Sequence, residues 1–264
     1  MTLDLLTSAP GGATVATLAR REARRTARHP INLVLLAYFI VLGGVQAVDS
    51  GLSANEAVPD FVRLLGLLWL GPATFFTANL IASSARRAHV ESQLAATPTT
   101  EQGRTLATCL GVLGPTAVAA GVAVVVWLLE HSGGALTGVQ SPAELAVIPL
   151  CVLGGGLLGV AAAGWLPWRG APLIVFVAVF AWVVAVLDRG DLRWTAPWSM
   201  TTAYSNELWP GGGSHPWHAV YLLGLALLAG VAALLRHPSY RRPLLMLGAV
   251  LLVGTVAAGV AQLP

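Results

Sequence analysis

Residues 106–129 read LATCLGVLGPTAVAAGVAVVVWLL and contain no charged side chain. A helix needs about 20 apolar residues to cross the hydrocarbon core of a membrane, so this stretch is long enough to span it. The run lacks the polar–apolar alternation of a barrel strand, which favours a helix. Six further apolar runs occupy residues 31–48, 63–83, 145–166, 171–187, 217–235 and 243–262, of which one, 63–83, begins with a charged residue, Arg63.

The composition excludes an ordinary soluble domain. The 264-residue chain is 56% hydrophobic and 10% charged, whereas soluble domains are about half apolar and about a quarter charged. We therefore predict an all-α, polytopic membrane protein with six to seven transmembrane helices. The count depends on residues 145–187, where two runs are separated only by residues 167–170. They form either two spans or one re-entrant pair, and we favour two spans.

Arginine sets the expected orientation. The chain contains no lysine, and its arginines are concentrated in alternate loops. Because positive residues favour the cytoplasmic side, we predict a multi-pass cell-membrane protein with a cytoplasmic N-terminus and, for seven spans, an outer C-terminus. Arginines at membrane edges favour anionic lipids over nucleic acid as partners. The basic positions on the expected inner side are Arg20, Arg21, Arg24, Arg25, Arg28, Arg86, Arg87, Arg104, Arg169, Arg236, Arg241 and Arg242.

Residues 1–30 precede the first apolar run, and residues 31–264 form the expected transmembrane domain. The segment 13–30 reads ATVATLARREARRTARHP. At 100° per residue, alanines occupy one arc of a helix and arginines the opposite arc. This pattern predicts an amphipathic helix at the inner leaflet, ending before Pro30. Its head-group-facing residues are Arg20, Arg21, Arg24, Arg25 and Arg28.

The loop after the second run reads SSARRAHVESQLAATPTTEQGRTLATCL, residues 83–110. Residues 84–96 are predicted to form a short helix, with Arg87 and Glu91 paired one turn apart. Thr97 is the predicted N-cap of a second helix, with Pro98 at its first position. Glu101 then falls in that helix's first turn, where the helix dipole favours an acid. The loop is thus a helix–break–helix segment that presents charge to a soluble partner.

This loop resembles the coupling segment of ABC-2-type transporter permeases. Residues 18–30 resemble the elbow helix of the same family, and residues 217–237 resemble its late spans. The family usually has six spans with both termini inside, which departs from the count of seven. The matching loop residues are Arg86, Arg87, Glu91, Leu94, Ala95, Thr97, Pro98, Glu101 and Arg104.

The resemblance implies the membrane subunit of an exporter. A separate ATP-binding subunit would hold ATP and Mg, and a second permease chain, identical or not, would complete the path. The cargo would be amphipathic or hydrophobic. The alternative is a non-transport integral membrane component, such as an assembly, immunity or sensor-anchor protein.

The chain lacks residues for an energy source of its own. A P-loop requires a lysine that reaches the phosphates, and the chain has none. No run carries an ionisable side chain near its centre, which opposes an ion-coupled carrier. We therefore expect no enzyme activity and no cofactor or metal bound by this chain. The polar Asn32, Thr77 and Asn79 are expected to make hydrogen bonds between helices.

The seven-span prediction is tested by the location of the C-terminus. Alkaline phosphatase fused there is expected to be active, and green fluorescent protein fused there is expected to be dark, because both report an outer location. The converse pair of results would place the C-terminus inside and favour six spans.

Overall fold

The computed structural model describes residues 10–49, 70–90, 93, 99–132, 142–187, 189, 192–197 and 214–262. Within these ranges every regular element is a helix, as the sequence predicts for an all-α protein. In the same ranges a 3-10 turn lies at Arg193–Thr195. The α-helices are α1 (Pro10–Ala27), α2 (Pro30–Asp49), α3 (Gly71–Ala82), α4 (Ser84–Arg87), α5 (Glu101–Gly111), α6 (Leu113–Ser132), α7 (Pro142–Trp165), α8 (Ala171–Leu187), α9 (His215–Leu235) and α10 (Arg241–Val260).

Four helical segments among the described residues are long and apolar enough to cross a membrane. They are Glu101–Val125, Leu145–Trp165, His215–Leu235 and Arg241–Val260. Each overlaps one of the apolar runs found in the sequence, and α8 is a shorter apolar helix of 17 residues. These helices are typical of an integral membrane protein. The full count of six to seven spans stays a prediction, because residues 63–69 of the second run lie outside the described ranges.

The apolar side chains on the outside of the helices fit this class. In α10, Val250 and Val253 are each 70% exposed, and only 17% of the spanning window is buried. A soluble monomer rarely exposes such a continuous apolar surface. Lipid chains would cover it at no cost in hydration.

Helix α7 lies at the centre of the packing. Two-thirds of its spanning window, 67%, is buried, and it contacts α3, α6 and α9. Its Gly155 and Gly159 lie one turn apart and face α3. A methyl group at Gly155 would overlap the carbonyl oxygen of Gly71, and one at Gly159 would overlap that of Phe75. The two backbones therefore touch, as small residues allow in membrane helix pairs.

Polar side chains join the helices at three places, which confirms the sequence prediction for them. Asn79 Nδ2 donates to the carbonyl oxygen of Gly159 at 3.1 Å. Thr77 Oγ1 donates to Asn32 Oδ1 at 3.4 Å, and Asn32 Nδ2 donates to the carbonyl oxygen of Thr26 at 2.8 Å. The last bond fixes the end of α1 to the start of α2.

The contact between α3 and α7 is tested by adding one methyl group. We expect Gly159→Ala to destabilise the protein by about 1–3 kcal/mol, because the methyl meets backbone that cannot move aside. The measurement is thermal unfolding of the purified protein in detergent. Gly121→Ala is the matched control, since no atom lies within 4 Å of the added carbon. It should be neutral or stabilising by up to about 1 kcal/mol, and equal losses in both variants would contradict the packing argument.

Candidate functional site at the basic end of the helices

Several helix ends meet in a region that we call the basic end. It consists of the end of α3, the start of α5, the end of α7 and the connection between α9 and α10, residues 236–240. Three hydrogen bonds hold these parts together. Arg86 Nη2 donates to the carbonyl oxygen of Ala163 at 2.6 Å, Trp165 Nε1 to that of Ala232 at 2.8 Å, and Gln102 Nε2 to that of Ser239 at 3.1 Å.

Helix α1 packs against the basic end through its alanine face. Ala19 is buried, and a methyl group at Gly114 would overlap the backbone of Ala23. The part of this face that includes Ala19 and Ala23 therefore packs against α5 and α6, where α1 has most of its contacts, whereas Ala16 is exposed. The location of α1 at a membrane surface stays a prediction. The predicted head-group-facing residues are all exposed: Arg20, Arg21, Arg24, Arg25 and Arg28.

The first predicted loop helix, residues 84–96, is not continuous, although Gln93 within it is helical. Helix α4 ends at Arg87, and His89 adopts a left-handed backbone with φ of 55°. The amide of Val90 donates to the carbonyl oxygen of Ala85, and that of His89 to the carbonyl oxygen of Arg86, both at 3.1 Å. These two bonds form a Schellman motif, which closes a helix by satisfying its last carbonyls.

The start of the second loop helix is also corrected. Thr97 and Pro98 were predicted as its N-cap and first residue, but Thr100 is the N-cap and α5 begins at Glu101. Thr100 has an extended backbone, and its Oγ1 accepts the amide hydrogen of Gly103 at 3.0 Å. This bond satisfies an amide that would otherwise have no partner in the first turn. The prediction that Glu101 lies in the first turn is confirmed.

The remaining predicted loop residues have different environments. Arg86 bonds to α7, whereas the exposed Arg87 bonds back to the carbonyl oxygen of Leu80 on α3. Arg104 Nη1 donates to the carbonyl oxygen of Thr99 at 2.7 Å. The predicted pairing of Arg87 with Glu91 falls outside the described residues, and so do Leu94, Ala95, Thr97 and Pro98.

Glu101 on α5 lies beside two residues, Arg236 and His237, of the connection between α9 and α10. Glu101 Oε2 lies 3.9 Å from His237 Nδ1, and Glu101 Oε1 lies 4.0 Å from Arg236 Nη2. The hydroxyl of Thr105 donates to the carbonyl oxygen of Glu101 at 3.1 Å. Its oxygen is then left to accept the Nε2 hydrogen of His237 at 2.9 Å. This network favours the neutral, Nε2-protonated form of the imidazole.

The environment of His237 also opposes its protonation. The residue is 6% exposed. Burial lowers the pKa of His237, and the cations Arg236 and Arg104 lower it further, while the Glu101 carboxylate raises it. Burial is the largest of these effects. The imidazole is therefore a neutral hydrogen-bond donor to α5 at neutral pH.

The sequence pattern of the loop pointed to Glu101 and Arg104. It gave no sign that Thr105, Ala163, Arg236 and His237 belong to the same region. The orientation of the loops gave a partial signal, because residues 84–104 and 236–242 were both predicted on the inner side. The distribution of arginine places two loops at one end of the helices. The distribution of arginine does not determine which side chains of the two loops contact each other.

The other end of α9 carries a separate buried polar group. His218 is 0% exposed, and its Nδ1 lies 2.8 Å from Oε1 of Gln262 after α10. Tyr221 donates its hydroxyl hydrogen to the carbonyl oxygen of Thr195 at 3.2 Å. These bonds hold α9, α10 and the 3-10 turn together. In the part of the chain that the structure describes, no three His, Cys, Asp or Glu residues lie together as metal ligands.

The lowered pKa of His237 predicts sensitivity to acid. A histidine whose pKa is lower in the folded state contributes stability above its unfolded pKa of about 6.5, and this contribution is lost as pH falls below that value. We therefore expect a lower melting temperature at pH 5.5 than at pH 7.5, and a smaller difference between them in His237→Gln. His89→Asn is the control, because His89 is exposed and asparagine accepts a left-handed backbone. Equal acid sensitivity in both variants would contradict this role.

Comparisons with known proteins do not identify the chain. No protein-family model, no curated protein and no solved structure matches it. The resemblance to ABC-2-type permeases therefore remains a hypothesis based on the residues of the loop and of the N-terminal helix.

Proposed function

We propose that this chain is the membrane-spanning permease subunit of an ATP-binding-cassette exporter. A separate subunit would bind ATP and Mg and dock on the segment between α3 and α5. The observation that carries the proposal is the attachment of this segment to the spanning helices. Arg86 joins its first part to α7, and Gln102, directly after its last part, donates a hydrogen bond to Ser239 in the connection after α9.

This attachment supplies a route for mechanical coupling. A load on the segment acts directly on the end of α7 through the bond from Arg86 to Ala163. Helix α7 is the most buried of the candidate spans and contacts α3, α6 and α9. Backbone contact at Gly155 and Gly159 leaves little space for α3 to slide without moving α7. A displacement of the segment is therefore passed to several helices together.

The exposed surface of the segment carries charged side chains, which suit the binding of a soluble partner. Arg87 and Glu101 are exposed at its two ends, and the arginines of α1 are exposed beside α5. An ATP-binding subunit with acidic residues opposite Arg87 would be complementary to this surface. A second permease chain would pack on the exposed apolar sides of the spanning helices. The cargo would be amphipathic or hydrophobic, since no apolar run offers a charge near its centre.

The rival reading is a non-transport integral membrane component. It accounts equally well for the apolar helices. It gives no reason for an exposed, charged segment that is bonded to the central helix. The two readings differ in whether an ATP-binding subunit is bound in native membranes.

Docking is tested by reversing the charge of Arg87. Purification from native membranes is expected to recover an ATP-binding subunit whose ATPase activity depends on this chain. Arg87→Glu should lower that activity about tenfold, which corresponds to about 1.4 kcal/mol of lost docking energy. Arg169→Glu is the matched control, because Arg169 is also exposed and lies in the connection between α7 and α8.

Two results would contradict the proposal. One is the absence of any ATP-binding subunit in the purified material. The other is an equal effect of Arg87→Glu and Arg169→Glu on the ATPase activity, with both variants melting at the wild-type temperature. The second result would leave a complex in place but remove this segment as the docking surface.

A further inference from the structure

A cavity of about 250 Å³ lies between α1, α2, α3, α6 and α7. Most of its wall is apolar, and Leu33, Leu36, Leu70, Val118, Val122 and Val152 are among the residues that form it. Leu33 on α2 is 48% exposed and Val118 on α6 is 46% exposed. The cavity therefore opens sideways between these two helices, on the surface that lipid would cover.

The cavity has the length and volume for part of an acyl chain. Its wall on α6 runs from Pro115 to Val122, which is about 10 Å along the helix axis at 1.5 Å per residue. An apolar cavity of about 150 Å³ holds one benzene molecule. In proportion, this cavity holds a segment of about ten carbon atoms.

The polar side chains of the cavity wall offer few free hydrogen-bonding groups to a polar ligand. The amide of Asn32 is already engaged, because its Nδ2 donates to Thr26 and its Oδ1 accepts from Thr77. The body of an occupant must therefore be apolar. Arg28 is the one charged residue among those that line the cavity. An ionic group of the occupant would therefore lie at the end of the cavity formed by Arg28.

The Arg28 end is positively charged. Arg28 is exposed, and its guanidinium has no ion pair among the described residues. Arg24 and Arg25 lie on the preceding turn, and α2 begins at Pro30, which adds the partial positive charge of a helix start. The pKa of the neighbouring His29 is lowered by burial and by the Arg25 cation. Arg25 also pairs with Glu22 at 3.6 Å, and α1 ends at Ala27 with the partial negative charge of a helix end. The exposed Arg24 and Arg28 therefore supply the net positive charge that favours an anion.

We propose that the cavity binds one acyl chain of an anionic phospholipid, with the phosphate on the Arg28 guanidinium. Lipid tails are already in an apolar medium, so filling the cavity provides little selectivity. The Arg28 guanidinium makes a charge-assisted bond to the phosphate. A zwitterionic lipid brings a cation beside its phosphate, which the arginines repel, so the site selects a lipid with a net negative charge. The bound lipid would contact α1, α2 and α6 together and hold the N-terminal helix on the bundle. This site requires a membrane but does not require an ATP-binding partner.

Retention of lipid by the purified protein tests the site. Native mass spectrometry in detergent would count the lipids that remain after addition of dioleoylphosphatidylglycerol or dioleoylphosphatidylcholine. The wild type should retain one phosphatidylglycerol and about tenfold less phosphatidylcholine. Arg28→Gln should lose most of this preference, whereas Arg20→Gln should keep it, because Arg20 is exposed on the same helix and does not line the cavity.

Filling the cavity provides a second, independent variant. Val122→Phe should abolish retention, whereas Val124→Phe should not, because Val124 is 55% exposed and does not line the cavity. Equal retention of both lipids by the wild type would overturn the proposal. Wild-type retention by Arg28→Gln, or displacement of the lipid by glycerol phosphate alone, would also overturn it. None of these readouts involves ATPase activity, so failure here is distinguishable from failure of the exporter proposal.

Discussion

The contact between the backbones of α3 and α7 is the constraint on which the rest of the structure depends. It exists because Gly155 and Gly159 present no side chain to α3. In a bilayer, helices gain little from hiding apolar surface from one another, so close approach supplies much of their attraction. Asn79 adds a hydrogen bond to Gly159 at the same place. Helix α3 is thereby fixed to the most buried of the four candidate spans.

The fixed positions of α3 and α7 determine which side chains meet at the basic end. Helix α3 leads directly into α4, so Arg86 is held within reach of the end of α7. Helix α5 begins at Glu101, and its Gln102 and Thr105 form hydrogen bonds with the connection after α9. The charged segment is therefore attached at both of its ends to packed helices. Helix α1 covers α5 and α6 with its alanine face, which completes the layer of structure at this end.

Sequence patterns predicted the features that depend on composition along one helix. The apolar runs, the separation of arginine from alanine in α1 and the acidic first turn of α5 are of this kind. The exact helix ends were less predictable. Thr97, Thr99 and Thr100 all have cap-forming side chains, and only the bond from Gly103 distinguishes Thr100. The left-handed turn at His89 has no glycine to mark it.

Contacts between distant parts of the chain could not be predicted from the sequence alone. His237 and Thr105 are separated by 132 positions, and their hydrogen bond depends on the rotation of α5 about its axis. A shift of one residue would turn either side chain by about 100°. The register of Gly159 against Phe75 is equally a property of two helices together. Neither can be read from the periodicity of one run.

Helix α8 has a consequence for the membrane itself. Its 17 residues extend about 26 Å, whereas the hydrocarbon core is about 30 Å thick. Trp168 and Arg169 are exposed just before it. If α8 crosses the membrane as the sequence predicts, its length leaves a hydrophobic mismatch of about 4 Å, which local thinning of the bilayer relieves at a small cost per ångström. The side of the protein that carries α8 would thus compress the lipids around it and favour a thinner membrane.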